Sequence, residues 1–108
     1  MNIGRYEIYF ADLNPSIGAE IEKVRPVVVV SKTLMNRYLD TVVICPLTTQ
    51  LHPEWRSRIQ IKCAGKNAEI SVDQIRAIGK KRLKDKIDEL SAEDALTLRS
   101  LIIEMYGE

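Results

Sequence analysis

The sequence predicts a mainly β protein that ends in an α-helix, arranged as a small antiparallel barrel or half-barrel. Short apolar runs, either β-branched or strictly alternating, recur between residues 5 and 78, and a single longer amphipathic segment follows them. Strands and helices do not alternate along the chain, which disfavours a parallel sheet built from βαβ units.

Six short strands are predicted from these runs. Residues 27–30 are four consecutive valines, which are typical of a strand buried on both faces. Gly65 lies between two alternating segments and offers the positive φ that a hairpin turn needs. Residues 5–13 alternate around Tyr6, Ile8 and Phe10. The strands are predicted at residues 5–13, 24–30, 41–47, 56–63, 68–72 and 75–78.

The alternation slips after Val72, because Gln74 takes an apolar place and Ile75 is apolar one residue late. A break in the period of this kind predicts a bulge or bend at Asp73 and Gln74, which re-aims the side chains there.

Two helices are predicted from their capping residues. Ser31 is the expected N-cap of a short helix over residues 33–38, and Ser91 that of a longer helix over residues 92–105. The second helix has an apolar stripe that packs on its own barrel or on a second subunit, and the sequence does not choose between them. The stripe consists of Leu98, Leu101, Ile102 and Met105.

Length and composition favour one domain over residues 1–108, with 45% hydrophobic residues and a thin stability margin that an oligomer would improve. No long apolar stretch or signal region is evident, so we expect a cytoplasmic protein. Cys45 and Cys63 are expected to be buried in strands rather than in a disulfide or metal site. His52 has no neighbour at ligand spacing and is expected to be a solvated loop residue.

The net charge is only +1, but residues 76–86 contain six basic side chains against a single acid, Asp85. This segment is either a solvated basic turn or part of a nucleic-acid footprint. A more specific cation is Arg25, which Pro26 holds extended at the start of the valine strand. A guanidinium on a rigid mount suits an anion such as a phosphate, although a surface ion pair is the simpler alternative.

Four motifs together resemble the MazF/PemK/Kid family of type II toxin–antitoxin endoribonucleases, and the likeness spans residues 4–83. The motifs are Gly4-x-x-x-Ile8-Tyr9-Phe10-Ala11-Asp12-Leu13-Asn14-Pro15, Gly18-x-Glu20-x-x-x-x-Arg25-Pro26-Val27-Val28-Val29-Val30-Ser31, Pro46-Leu47-Thr48-Thr49 and Val72-Asp73-Gln74-Ile75-Arg76.

The resemblance implies an SH3-like barrel of the CcdB/MazF type that works as a homodimer. It implies cleavage of single-stranded RNA, chiefly mRNA, without a metal or other cofactor, which inhibits translation and growth. The ribose 2′-hydroxyl attacks, leaving a 2′,3′-cyclic phosphate and a 5′-hydroxyl. A cognate antitoxin, a small protein with an acidic disordered segment, is the implied protein partner.

By position, Arg25 and Thr48 match the family's catalytic pair. Glu20 matches an acid in the loop before the arginine, and Asp73 an acid implicated in some members. Because a second histidine is absent, the general base is Glu20, Asp73 or water. The expected supporting or RNA-binding residues are Glu20, Asp73, Gln74, Arg76, Thr49, Trp55 and Arg56.

Two other functions remain open from the sequence. One is a toxin of the same fold that binds a protein target such as DNA gyrase, and the other is a non-catalytic SH3-like binding module. Neither function requires the pairing of Arg25 with Thr48.

Overall fold

The computed structural model describes residues 2–13 and 24–107. The strands are β1 (Glu7–Asp12), β2 (Val24–Val29), β3 (Thr41–Thr48), β4 (Arg58–Cys63), β5 (Lys66–Ser71), β6 (Arg76–Gly79) and β7 (Leu83–Glu89). The helices are α1 (Thr33–Tyr38) and α2 (Ala92–Tyr106), and short 3₁₀ turns cover Val72–Gln74 and Lys80–Arg82.

The strands form one curled antiparallel sheet in the order β4-β5-β3-β2-β1-β7, with β6 added beside β3. Strand β3 has two partners on the same side: its first half pairs with β6, from Thr41 to Ile44, and its end pairs with β5, at Leu47 and Thr48. The sheet bends where β3 changes partner from β6 to β5, and it curls into a half-barrel. The predicted fold class is therefore confirmed.

The valine strand is buried on both faces, as predicted. Val28 and Val30 contribute to one apolar cluster, together with α2, whereas Val27 and Val29 contribute to a second cluster on the opposite face. The prediction for β1 was only partly right, because Phe10 is 38% exposed while its neighbours Tyr9 and Ala11 are buried. Both faces of β1 pack against apolar clusters, so buried and exposed residues do not simply alternate along this strand.

Strand β7 was not predicted. Leu83 and Ile87 are four residues apart, so a regular strand would place both on one face, but Leu83 packs in one apolar cluster and Ile87 against the other. Two register shifts against β1 break the period between them. Several bases of this segment have structural partners. Lys80 Nζ donates to the Asn36 carbonyl at 2.7 Å, and Lys86 Nζ forms an ion pair with Glu7 at 2.9 Å. Lys80 is therefore held by the fold, whereas Lys86 remains exposed, and the choice between a solvated turn and a nucleic-acid footprint stays a prediction.

Ser31 is not the N-cap of α1, contrary to prediction. Its hydroxyl donates to Asn36 Oδ1 at 2.6 Å and accepts the Val43 N–H at 3.0 Å, while Lys32 holds the cap position without a side-chain bond. Ser31 therefore joins the helix to β3, because its hydroxyl donates to buried Asn36 and accepts an N–H from β3 instead of a free N–H of the helix.

Other local predictions are confirmed. Ala64 and Gly65 form the hairpin turn with φ of 50° and 81°. The break after Val72 is a 3₁₀ turn rather than a bulge. Ser91 caps α2 by accepting the Asp94 N–H at 3.1 Å.

The apolar stripe of α2 packs on its own barrel. Cys45 and Cys63 are buried and free, as predicted. Within the described residues, no helix has the length and apolar character needed to cross a bilayer.

Helix α2 offers a test of this packing with an internal control. Leu98 is fully buried, whereas Leu96 on the same helix is 59% exposed. Leu98→Ala is expected to lower the free energy of unfolding by about 2–5 kcal/mol, because it leaves a cavity under the helix. Leu96→Ala is expected to change it by less than about 0.5 kcal/mol. Urea unfolding measures both, and equal losses would contradict the packing described.

Candidate functional site

A solvent-open groove of about 670 Å³ crosses one end of the half-barrel. We call it the site groove. It lies where β3 ends and passes into the loop that leads to β4, with the 3₁₀ turn before β6 opposite. Its lining residues are Leu13, Arg25, Pro46, Leu47, Thr48, Gln50, His52, Trp55, Arg58, Ser71, Gln74 and Arg76.

Arg25 and Thr48, the pair singled out by sequence, both line the site groove. Arg25 is exposed near the start of β2, and no described side chain forms an ion pair with it. Thr48 is the last residue of β3, and its Oγ1 accepts the Gln50 N–H at 3.1 Å. This bond occupies an acceptor position of the hydroxyl and leaves its proton available for donation.

The loop wall of the groove is aromatic. The rings of His52 and Trp55 stack with centroids 3.9 Å apart, and the guanidinium carbon of Arg58 lies 4.7 Å from the Trp55 ring centroid. Trp55 remains 45% exposed. Its ring borders the groove.

A fully buried carboxylate, Glu69 on β5, lies beneath this wall. Its Oε1 accepts from Gln60 Nε2 at 2.7 Å and from the His52 backbone N–H. Its Oε2 contacts Arg58 Nη1 at 2.6 Å and His52 Nδ1 at 3.4 Å. Burial alone would raise the pKa of Glu69, but the donors from Gln60, His52 and Arg58 outweigh burial and lower it to about 2.

Arg58 joins this carboxylate to a second one, because its Nε donates to Asp73 Oδ1 at 2.8 Å. Burial tends to raise the pKa of Asp73, but hydrogen bonds from Arg58 and Ser57 lower it below its ordinary value. The guanidinium of Arg58 is thus shared between two carboxylates, and its side chain is only 7% exposed. Among the arginines of the groove lining, Arg25 and Arg76 are the exposed ones.

The structure brings together five of the residues selected from the sequence: Arg25, Thr48, Trp55, Gln74 and Arg76 all line the groove. Thr49 and Arg56 are exposed in the adjoining loop and are not among its lining residues. Asp73 is not among the lining residues, but its carboxylate contacts one of them, Arg58. Glu20 lies outside the described residues.

Two features of the site were missed or misjudged. His52 was expected to be solvated, but it is half-buried between Trp55 and Glu69. Glu69 and Arg58 were not selected at all. The hairpin turn at Ala64 and Gly65 sets a register in which Gln60 faces Glu69, so the available signal was a pair of polar residues that this register places opposite each other.

The lowered pKa of Glu69 predicts how stability depends on pH. Because the pKa in the folded protein, about 2, lies below the ordinary 4.5, the ionised carboxylate stabilises the fold above pH 4.5, and this contribution is lost as pH falls towards 2. Glu69→Gln is therefore expected to lose about 1.5–3 kcal/mol at neutral pH. Urea unfolding should show this deficit shrinking as pH falls towards 2, with Glu54→Gln as the control. A deficit that does not change with pH would contradict the assignment.

Comparison with known proteins agrees with the motifs. The family described as PemK-like, MazF-like toxin of type II toxin-antitoxin system matches residues 4–106. Endoribonuclease EndoA of Bacillus subtilis (strain 168) is 37% identical over 98 residues, covering 86% of this chain and 84% of EndoA.

Solved structures match over nearly the whole fold. A MazE–MazF complex from Deinococcus radiodurans gives a TM-score of 0.85 at 16% identity, covering 99% of this chain and 97% of the matched chain. A mycobacterial endoribonuclease in complex with its cognate antitoxin gives 0.81 at 21% identity, covering 96% and 94%. These two matches support the fold, while the family match and EndoA establish relationship. The chain belongs to the PemK-like, MazF-like toxins of type II toxin–antitoxin systems.

Proposed function

We propose that this toxin is an endoribonuclease that cleaves single-stranded RNA, chiefly mRNA, and thereby inhibits translation and growth. The observation that carries the proposal is the presence of Arg25 and Thr48 in the lining of one open groove. The relative EndoA, which bears the name endoribonuclease, supports the same activity. In this proposal the protein acts in the cytoplasm.

In the proposed reaction the ribose 2′-hydroxyl attacks the adjacent phosphorus, and the bond to the 5′-oxygen of the next nucleotide breaks. The products are a 2′,3′-cyclic phosphate and a 5′-hydroxyl. Arg25 donates to the non-bridging oxygens, where negative charge grows in the transition state. A preorganised donor in this role contributes about 2.7–4 kcal/mol. Thr48 donates a hydrogen bond from its hydroxyl to a non-bridging oxygen of the same phosphate.

Among the residues that the structure describes, the two carboxylates bound to the groove-lining Arg58 are poor bases. Asp73 and Glu69 are both bound by Arg58, and both have lowered pKa values. Of the three bases considered from the sequence, Glu20 and water therefore remain in the proposal. Catalysis then depends mainly on holding the RNA in line for attack and on stabilising charge, and it needs no metal ion.

RNA binding is assigned to the rest of the groove. Trp55 stacks on a base, Gln74 binds a base edge, and Arg76 contacts a phosphate. Thr49 and Arg56 extend the contacts along the adjoining loop.

The protein partners in the proposal are a second copy of the chain, in a homodimer, and an antitoxin. The mycobacterial relative is described in complex with its cognate antitoxin. An acidic disordered segment would fit a groove whose exposed charges are the cations Arg25 and Arg76.

The first prediction of this proposal concerns Arg25. In the presence of EDTA, wild-type protein is expected to cut a long unstructured RNA at discrete sites, which mapping of 5′ ends identifies. Arg25→Ala is expected to reduce the rate by roughly 10²–10³, because the phosphate loses its charged donor. Arg99→Ala on α2 removes an exposed arginine outside the groove and should cut at the wild-type rate.

Two results would contradict the assignment. Cutting by Arg25→Ala at the wild-type rate would remove Arg25 from the reaction. Absence of cutting by folded wild-type protein would favour a toxin that binds a protein target, or a non-catalytic module.

The second prediction concerns Thr48. Thr48→Val keeps the β-branched shape but loses the hydroxyl, so we expect cleavage to slow by roughly 10²-fold. Thr41→Val makes the same change at the opposite, exposed end of β3 and should leave the rate unchanged. Single-turnover kinetics on the mapped RNA measures both variants. Equal rates for the two would mean that the Thr48 hydroxyl has no part in the reaction.

A further inference from the structure

Glu69 occupies an environment that is costly for a carboxylate. It is 0% exposed, and removing an ion from water costs several kcal/mol unless charged and polar partners replace the water. Its partners come from one region: Arg58 and Gln60 from β4, and His52 from the loop before it. The Glu69 carboxylate on β5 therefore holds the loop between β3 and β4 against the sheet through its contacts with His52.

The two side chains that contact the Trp55 ring are both held by the same oxygen of Glu69. His52 stacks on the indole and also lies 3.4 Å from Oε2 through Nδ1. Arg58 lies against the indole and donates to Oε2 at 2.6 Å. Backbone bonds close the loop around the indole, from Trp55 N–H to the His52 carbonyl and from Arg58 N–H to the Trp55 carbonyl.

The indole nevertheless keeps free surface on the groove side, since Trp55 is 45% exposed and lines the groove. An aromatic ring that is held in place and keeps exposed surface in a groove is suited to stacking with a base of a single strand. A fixed ring also loses less side-chain entropy on binding than a free one, which favours tight binding.

We propose that Glu69 is a positioning residue that holds Trp55, through His52 and Arg58, as a stacking platform for one RNA base. The identity of the ligand rests on the proposed function. Glu69 has no role in proton transfer, because it is covered and its oxygens are occupied. It lies directly across from Thr48 in the β3–β5 pairing, so the platform and the reacting end of the groove are built on adjacent strands.

The number of donors explains why this position needs a carboxylate. The two carboxylate oxygens accept hydrogen bonds from Arg58, Gln60 and the His52 backbone N–H, and the His52 ring lies 3.4 Å from one of them. Glutamine has a single oxygen, and its amide N–H₂ would face donors. Aspartate keeps both oxygens but is one methylene shorter, so it should restore part of the arrangement.

Trp55 is the only tryptophan of the chain, so its fluorescence reports the platform directly. The variants are Glu69→Gln, Glu69→Asp and Trp55→Phe, with Glu54→Gln as the control that removes an exposed carboxylate from the same loop. Emission and acrylamide quenching are measured on the free proteins. Affinity is measured with a 2′-O-methyl RNA of the mapped cleavage sequence, which cannot be cut because it lacks the attacking hydroxyl.

For Glu69→Gln we expect altered emission, stronger quenching and about tenfold weaker RNA binding, with a raised KM and little change in kcat. Glu69→Asp should recover part of the affinity. Trp55→Phe should lose affinity as well, and the double variant Glu69→Gln/Trp55→Phe should lose little more than Trp55→Phe alone, because both changes remove one platform.

Three results would overturn the inference. The first is Trp55 emission, quenching and RNA affinity in Glu69→Gln that equal those of Glu54→Gln. The second is a loss of activity in Glu69→Gln that is confined to kcat. The third is a loss of affinity in the double variant that equals the sum of the two single losses. If Glu69→Gln does not fold, His52→Ala breaks the same link from the exposed side, and unchanged quenching and affinity in that variant would equally overturn it.

Failure of the proposed function is a separate result. If wild-type protein cuts no RNA, no cleavage sequence can be mapped, and binding is measured with a pool of 2′-O-methyl RNA of random sequence. Absence of binding to that pool would overturn RNA as the ligand of the platform. The fluorescence of the free proteins would still decide whether Glu69 holds Trp55.

Discussion

The divided pairing of β3 is the constraint on which the rest of this structure depends. One strand binds β6 along its first half and β5 at its end, and the 3₁₀ turn of Val72–Gln74 joins these two partners. The division curls the sheet, and it opens the groove at the end of β3. Thr48 ends that strand, and the turn brings Gln74 and Arg76 to the same groove. The shape of the sheet therefore assembles the site from distant parts of the sequence.

Electrostatic pairing then separates the arginines of the groove into one that is bound by carboxylates and two that are exposed to a ligand. Arg58 is occupied by Glu69 and Asp73, so its charge stabilises the loop instead of meeting a ligand. Arg25 and Arg76 remain exposed in the lining. Carboxylates held ionised by an arginine make poor bases, so the proposed reaction relies on charge stabilisation and on the position of the RNA. The buried network and the proposed reacting groups thus have separate tasks.

The sequence predicted the fold well where local signals and tertiary packing agree. Valine at 27–30, the turn at Gly65 and the cap at Ser91 each act through nearest neighbours, and each appears as expected. Strand β7 was missed because register shifts against β1 break its period. The candidate site was predicted in part, since Arg25 and Thr48 were identified through motifs. Glu69 was not selected because its role depends on hydrogen-bond partners that lie on another strand and in a loop. Those partners meet the carboxylate only in the register that the hairpin sets.

The central claim is that this groove cleaves RNA by attack of the 2′-hydroxyl without a metal ion. Mass spectrometry of the fragment ends tests it most directly, using RNA incubated with wild-type protein in EDTA. The account predicts 2′,3′-cyclic phosphate on one fragment and a 5′-hydroxyl on the next. Fragments that end in a 3′-hydroxyl and a 5′-phosphate would contradict it, because water rather than the ribose would then be the nucleophile.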